Sequence, residues 1–414
     1  MPSESKKLPG ALLLVLSALG FLIGMLAAAG VIFSLVRLPD SASSPADLLP
    51  VASAGALALL TGMLHLPALV ITLKSLRGKA TPINQPALFK AASLAGLGWL
   101  IIMVAGVFAI RAQAAWYIFV PLTLLAVAIP VWWLVEFSRR GLPRSTALRE
   151  WGTLTIGLSA APLLIMLIEI FLVVVIALGV LVVLSGQPDI MEQLSQVTQN
   201  FDLFQGGIDQ LEQLMMEMAR NPVVASALFL MVGVLAPFVE ELFKPMALWF
   251  LLKRPLKEYE GYSLGLISGG AFALLESAGL VSQIGPGTWV QAVALRAGTG
   301  LLHIGLSGLV GYGLVSSWNQ KQFGHALLYL LGAAGLHGAW NSLALLIGFS
   351  ASSIPAASAA EFQPTPGSIL SVVGMVVVFG ALLFIVLRIN KKLRQPLENL
   401  PHNPASPASP SSVE

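Results

Sequence analysis

The chain has 414 residues, 56% of them hydrophobic and only 10% charged, where a soluble domain carries about 25% charged residues. That composition excludes a water-soluble globule. The absence of cysteine excludes disulfides, thiolate metal sites, cysteine nucleophiles and iron–sulfur clusters, so any metal must be held by His, carboxylate, amide or water.

A stretch of about 20 apolar residues crosses the hydrocarbon core as a helix. Ten such stretches are predicted, at approximately 12–35, 49–73, 91–110, 114–135, 154–184, 223–252, 262–281, 289–318, 326–349 and 369–387. The first follows Lys6 and Lys7 and contains small residues at Ala27 to Gly30, as a cleavable signal would. Its apolar run continues through Val36, which makes it an uncleaved signal anchor. With the N-terminus in the cytoplasm, 18 of the 23 Lys and Arg residues fall on the cytoplasmic side, and only Arg37, Arg111 and Arg220 on the other. Positive residues are retained inside, so both termini are expected in the cytoplasm. The net charge of +3 then reports topology and needs no nucleic acid.

The expected fold is therefore all-α, a polytopic transmembrane helix bundle of about ten spans. Its expected organisation is a four-span region (1–150), a core (151–351), a final span (352–390) and a Pro- and Ser-rich cytoplasmic tail (391–414) expected to be disordered. Within the core, the external loop 187–221 repeats apolar residues at helical spacing, from Met191 to Phe201 and from Ile208 to Met218. It is expected to form two interfacial helices broken at Gly206 and Gly207.

Ionisable residues inside spans are costly and mark function. Nine fall there: His65 in the second span, Glu169 in the fifth, and Glu240, Glu241, Lys244, Glu276, Arg296, His303 and His337 in spans six to nine. Seven in four consecutive helices point to one polar cavity. At about 1.5 Å of rise per residue, Glu240, Glu276, His303 and His337 each lie roughly 18–22 Å from the cytoplasmic end of their span. They share one depth near mid-membrane. Glu240 with Lys244, Phe272 with Glu276, and His337 with Asn341 are each four residues apart and share a helix face. His65 lies outside these helices and reads as structural, and Arg296 as a counter-ion for Glu276 or Glu240. Two imidazoles and one carboxylate make a catalytic zinc set with an open position for water, and a further glutamate could take that water's proton. Glu240 and Glu241 sit about 100° apart around the helix, so one faces the water and the other orients a neighbour.

The ordered motifs EELFK (Glu240 to Lys244), FALLE (Phe272 to Glu276), a lone His303 and HGAWN (His337 to Asn341) resemble the PrsW family of intramembrane proteases, in the larger group that includes the type II CAAX prenyl proteases. The resemblance covers approximately 160–349. Glu276 and Lys244, in place of the His and Arg usual in the prenyl protease branch, argue for the PrsW branch. The resemblance implies that Glu240 and Glu241 include the water-activating carboxylate and that Glu276, His303 and His337 bind metal, taken as zinc, or stabilise the transition state. It implies that Asn341 orients the scissile carbonyl or an oxyanion; Lys244, read from its spacing first as an intrahelical partner of Glu240, is counted with the catalytic set, and Arg296, Phe272 and Glu169 are secondary candidates. The implied activity is cleavage of a membrane protein or peptide within the lipid bilayer, in a bacterial plasma membrane. Two other classes fit a polar mid-membrane cavity: a secondary transporter and a non-catalytic scaffold. Transport predicts inverted repeats, and the first five spans hold no second EExxK-like cluster.

Overall fold

Lipid leaves unpaired backbone groups no partner, and among the described residues the chain is helical throughout with no strand. The computed structural model describes residues 4–37, 45–79, 85–112, 116–187, 218, 221–252, 254–281, 288–352 and 365–398. The helices are α1 (Glu4–Arg37), α2 (Pro45–Leu76), α3 (Gln85–Arg111), α4 (Trp116–Ser138), α5 (Ala147–Leu158), α6 (Ala160–Leu184), α7 (Pro222–Leu230), α8 (Ala236–Phe243), α9 (Met246–Leu251), α10 (Glu258–Val281), α11 (Trp289–Gln320), α12 (Phe323–Ser352) and α13 (Pro366–Glu398). A π-helical turn, Met231–Leu235, joins α7 to α8. Ten helical stretches among the described residues are long and apolar enough to cross a membrane, the number expected from sequence.

Two details differ from the sequence expectation. The fifth span begins at Ala147 rather than near Leu154 and is broken at Ser159. Pro162 cannot donate to Leu158 O, and at the break Ser159 N–H turns to Ile156 O while its hydroxyl donates to Thr155 O. The last helix runs on to Glu398, well into the segment read as tail. The expected interfacial helices around Gly206 and Gly207 lie outside the described residues, as do residues 399–414. The two ends of that loop meet, with Asn221 Nδ2 donating to Gln187 Oε1 at 3.3 Å.

The centre of the bundle is the pair α10 and α11. Gly261, Gly265 and Gly269 recur every fourth residue on α10, so they form one stripe. A Cβ on Gly265 would strike Ser307 O of α11, and one on Gly269 would strike His303 O. Only glycine lets the two backbones touch there, and this contact sets the register that brings Phe272 and Glu276 beside His303. Behind the pair lies α4. Val135 of α4 fills the space over Gly270, and Trp289 of α11 lies tilted against Phe119, ring centroids 5.6 Å apart, and donates from Nε1 to Thr123 Oγ1 at 2.9 Å.

Below α4 lies a buried charge cluster. Arg144 contacts both Glu136 and, at 3.0 Å, Glu150, and Arg139 reaches the same two carboxylates at 2.5 and 3.1 Å. Beside it, Arg149 pairs with Glu260 of α10 at 2.7 Å. The arginines that hydropathy assigns to a solvated loop are thus largely structural ties between α4, α5 and α10.

Candidate active site

The local shape of the sixth span follows from its two prolines. Pro237 has no N–H and its ring crowds the carbonyl four residues back, so the helix widens just before it into a π turn, with Ala236 N–H reaching back to Met231 O. Two carbonyls are thereby turned toward α12. Val232 O accepts from Asn341 Nδ2 at 3.1 Å, and Gly233 O lies where a side chain on Gly338 would stand. The π turn and α12 can therefore approach at backbone distance, which sets Glu240 and Glu241 against His337. Pro245 follows the end of α8, and beyond it Leu248 N–H bonds Pro245 O, which leaves the Lys244 carbonyl to the Ser268 hydroxyl of α10.

Glu241 is fully buried and makes two contacts from Oε1, at 3.0 Å to His337 Nδ1 and at 2.8 Å to Lys244 Nζ. A carboxylate can only accept, so Nδ1 of His337 carries the hydrogen and Nε2 is left bare. His303 shows the mirror arrangement. Lys244 Nζ lies 2.8 Å from its Nδ1, and an ammonium can only donate, so Nδ1 is the bare nitrogen and Nε2 faces Glu276 Oε2 at 2.6 Å. Arg296 Nη2 holds that same Glu276 oxygen at 2.6 Å while its Nε donates to Ser277 Oγ at 3.0 Å. Each imidazole thus has a carboxylate behind it, hydrogen-bonded at His337 and in close contact out of line at His303, and a carboxylate so placed orients the ring in metal sites.

The two bare nitrogens converge on Glu240. Its Oε2 lies 4.0 Å from His303 Nδ1 and 3.9 Å from His337 Nε2, and one ligand atom from each of the three residues falls within 4.8 Å of the others. Glu240 Oε2 is buried and accepts no hydrogen bond, although Lys244 Nζ is 2.7 Å away out of line. In a tetrahedral zinc site the donors stand roughly 2.0–2.2 Å from the ion. These three atoms need only a small contraction to reach that geometry, so the residues present fit a divalent ion. Among the described residues this is the one cluster of His, Asp and Glu that could hold one.

Phe272 lies under the cluster, edge-on to His303 with ring centroids 5.3 Å apart and with Lys244 Nζ 4.5 Å from its own. Glu276, placed among the ligands by the resemblance, stands on the far nitrogen of His303, and Glu240 supplies the third inward atom instead. Glu169 on α6 is partly buried with Oε1 unpartnered, within electrostatic reach of Glu240, Lys244 and Glu276. His65 is remote from the cluster's contacts. Its Nδ1 lies 2.6 Å from Thr61 O and its ring fills the space over Gly20, so it serves the α1–α2 hairpin. The sequence reading missed Ser268 and Ser277, and nothing distinguishes these serines from the many small residues of α10.

Paired carboxylates and imidazoles are buried together inside a ten-span bundle, a constellation suited to hydrolysis within a membrane. The model of the PrsW family of intramembrane metalloproteases matches residues 151–387, more than half of the chain, and the chain belongs to that family. No curated protein and no solved structure matches it. Membership makes it a multi-pass membrane metalloprotease, and implies a membrane-protein substrate and a bound metal ion.

Proposed function

We propose that the protein cleaves peptide bonds of a membrane protein with a water activated at Glu240, assisted by a zinc ion held by His303 Nδ1, His337 Nε2 and Glu240 Oε2. The observation that carries this reading is the convergence of Glu240, His303 and His337, one ligand atom from each within 4.8 Å of the others, with an unprotonated nitrogen of each imidazole turned toward Glu240 Oε2. Bound there, the ion would supply Lewis acidity, polarising the scissile carbonyl and making water a better nucleophile.

The chain's own residues divide the remaining work. Glu240 is the water-facing member of the pair, and its Oε1, the oxygen not assigned to the ion, takes the proton as the water oxygen bonds to the scissile carbon. It returns that proton to the amide nitrogen as the C–N bond breaks, leaving one new carboxyl and one new amine. Glu241 and Glu276 hold His337 and His303, and Arg296 holds Glu276. Asn341 uses one N–H on Val232 O, and its second N–H is assigned to the substrate carbonyl. The asymmetry of Lys and Arg supports cytoplasmic termini, and the family match supports the reading of a bacterial plasma membrane.

The test is cleavage of a membrane substrate in proteoliposomes with bound metal assayed in parallel. Glu240→Gln is expected to reduce turnover by about 10²- to 10⁴-fold, and His303→Ala or His337→Ala to abolish both metal retention and cleavage. Wild-type rates in all three would overturn the assignment.

A further inference from the structure

Two cations compete for one place in this site. Lys244 Nζ is 2.7 Å from Glu240 Oε2 and 2.8 Å from His303 Nδ1, which are two of the three donor atoms proposed for the metal. A nitrogen lone pair accepting from an ammonium cannot also bind an ion. The ammonium and a metal at those donors therefore exclude each other.

The surroundings offer the ammonium a second resting place. Its contact with Glu241 Oε1 at 2.8 Å uses no donor atom of the metal triad, and the Phe272 ring lies 4.5 Å away with a face that attracts cations. A carboxylate and an aromatic face remain within reach once Glu240 and His303 are released. Lys244 reaches them on a flexible four-carbon stem, and its backbone stays fixed by Ser268 and by the helical bond from Lys244 N to Glu240 O.

We propose that Lys244 is a displaceable internal cation: its ammonium fills the site when metal is absent, neutralising Glu240 and holding His303 in register, and it withdraws onto Glu241 and Phe272 when metal loads. This rests on the metal reading given above. Metal binding is then limited by the fraction of molecules in which the ammonium has already withdrawn, and apparent affinity is reduced by that fraction. Lys244 is on this account a positioning residue that governs loading.

The experiment uses the full chain in nanodiscs, with zinc or cobalt(II) as the probe. Rates of metal uptake by the wild type are expected to level off as metal concentration rises, because withdrawal precedes binding. In Lys244→Met the rate should rise linearly, and the metal should bind about ten-fold tighter or more. Simple removal of a positive charge would tighten binding without abolishing a plateau, so the loss of the plateau identifies displacement. X-ray absorption of the zinc-loaded wild type should count two imidazoles in the shell, and this measurement stands even if the variant does not fold. Linear uptake by the wild type, a plateau that survives in Lys244→Met, or a single imidazole would overturn the proposal while leaving metal binding in place. No bound metal in either protein would remove the metal reading itself and this inference with it.

Discussion

Glu241 and His337 are 96 residues apart in the chain, yet the carboxylate oxygen of one lies 3.0 Å from Nδ1 of the other, both wholly inside the bundle. The pair turns Nε2 of His337 toward Glu240. Replacing Glu241 by Gln keeps the shape but lets an amide nitrogen face Nδ1 and Lys244. We expect a 10- to 100-fold loss of metal affinity or turnover, the usual cost of losing a carboxylate behind a metal-ligating imidazole, read by metal titration and by initial cleavage rate. Unchanged values for both would place His337 under other control.

The α10–α11 contact makes a purely steric prediction. Gly265→Ala puts a methyl against Ser307 O, and overpacking of this kind costs typically about 1–3 kcal/mol. Thermal unfolding in detergent should show a lowered midpoint, and cleavage should fall because Glu276 shifts against His303. A neutral effect on both would mean that the helices can slide without cost.

At the π turn, Asn341→Ala removes the donor to Val232 O and leaves a carbonyl without a partner in the bundle. The loss should be about 1–3 kcal/mol of stability, measured by the same unfolding assay. Asn341→Asp, which keeps the size but presents only acceptors when ionised, should be no better. An alanine variant as stable as the wild type would show that the turn is held by packing alone.

Chelation should act reversibly. A membrane-permeant chelator is expected to stop cleavage by the reconstituted protein, and added zinc to restore it, with protein fold unchanged by circular dichroism. Full cleavage after verified metal removal would keep Glu240 as the base and dismiss the ion.

The buried charge cluster can be probed away from the chemistry. Arg144→Met leaves Glu136 and Glu150 facing each other with only Arg139 between them, and breaking a buried pair costs about 3–5 kcal/mol. The expected result is a large drop in thermal stability, with cleavage per folded molecule retained. A small drop would show that water reaches these carboxylates.

Hydropathy and spacing made the ten spans and the shared depth of Glu240, Glu276, His303 and His337 legible, because both depend on position along a helix. Rotation about the helix axis is another matter. Glu240 and Glu276 lie at the same depth, and only the packing of α8 on α12 and α10 on α11 decides which carboxylate stands between the imidazoles and which stands behind one. The Pro237 break was visible in the chain, but not that Asn341 takes a carbonyl it frees. Arg139, Arg144 and Arg149 carry the positive-inside signal, which says which side they are on and nothing about whether they are buried. The sequence offers Arg296 as a counter-ion for either Glu276 or Glu240, and the 2.6 Å contact is with Glu276.

The match to the family begins at residue 151, but α4, which precedes it, backs the two helices that carry Glu276 and His303 and is pinned to α11 through Trp289 and Thr123. Chains are made from the N-terminal end, so α4 is already in the bilayer when α10 and α11 emerge. It can then serve as a template, a ready wall on which the later helices find their rotation. The history of assembly is in this sense written into the site: the segment that carries none of its chemistry is the one that must arrive first.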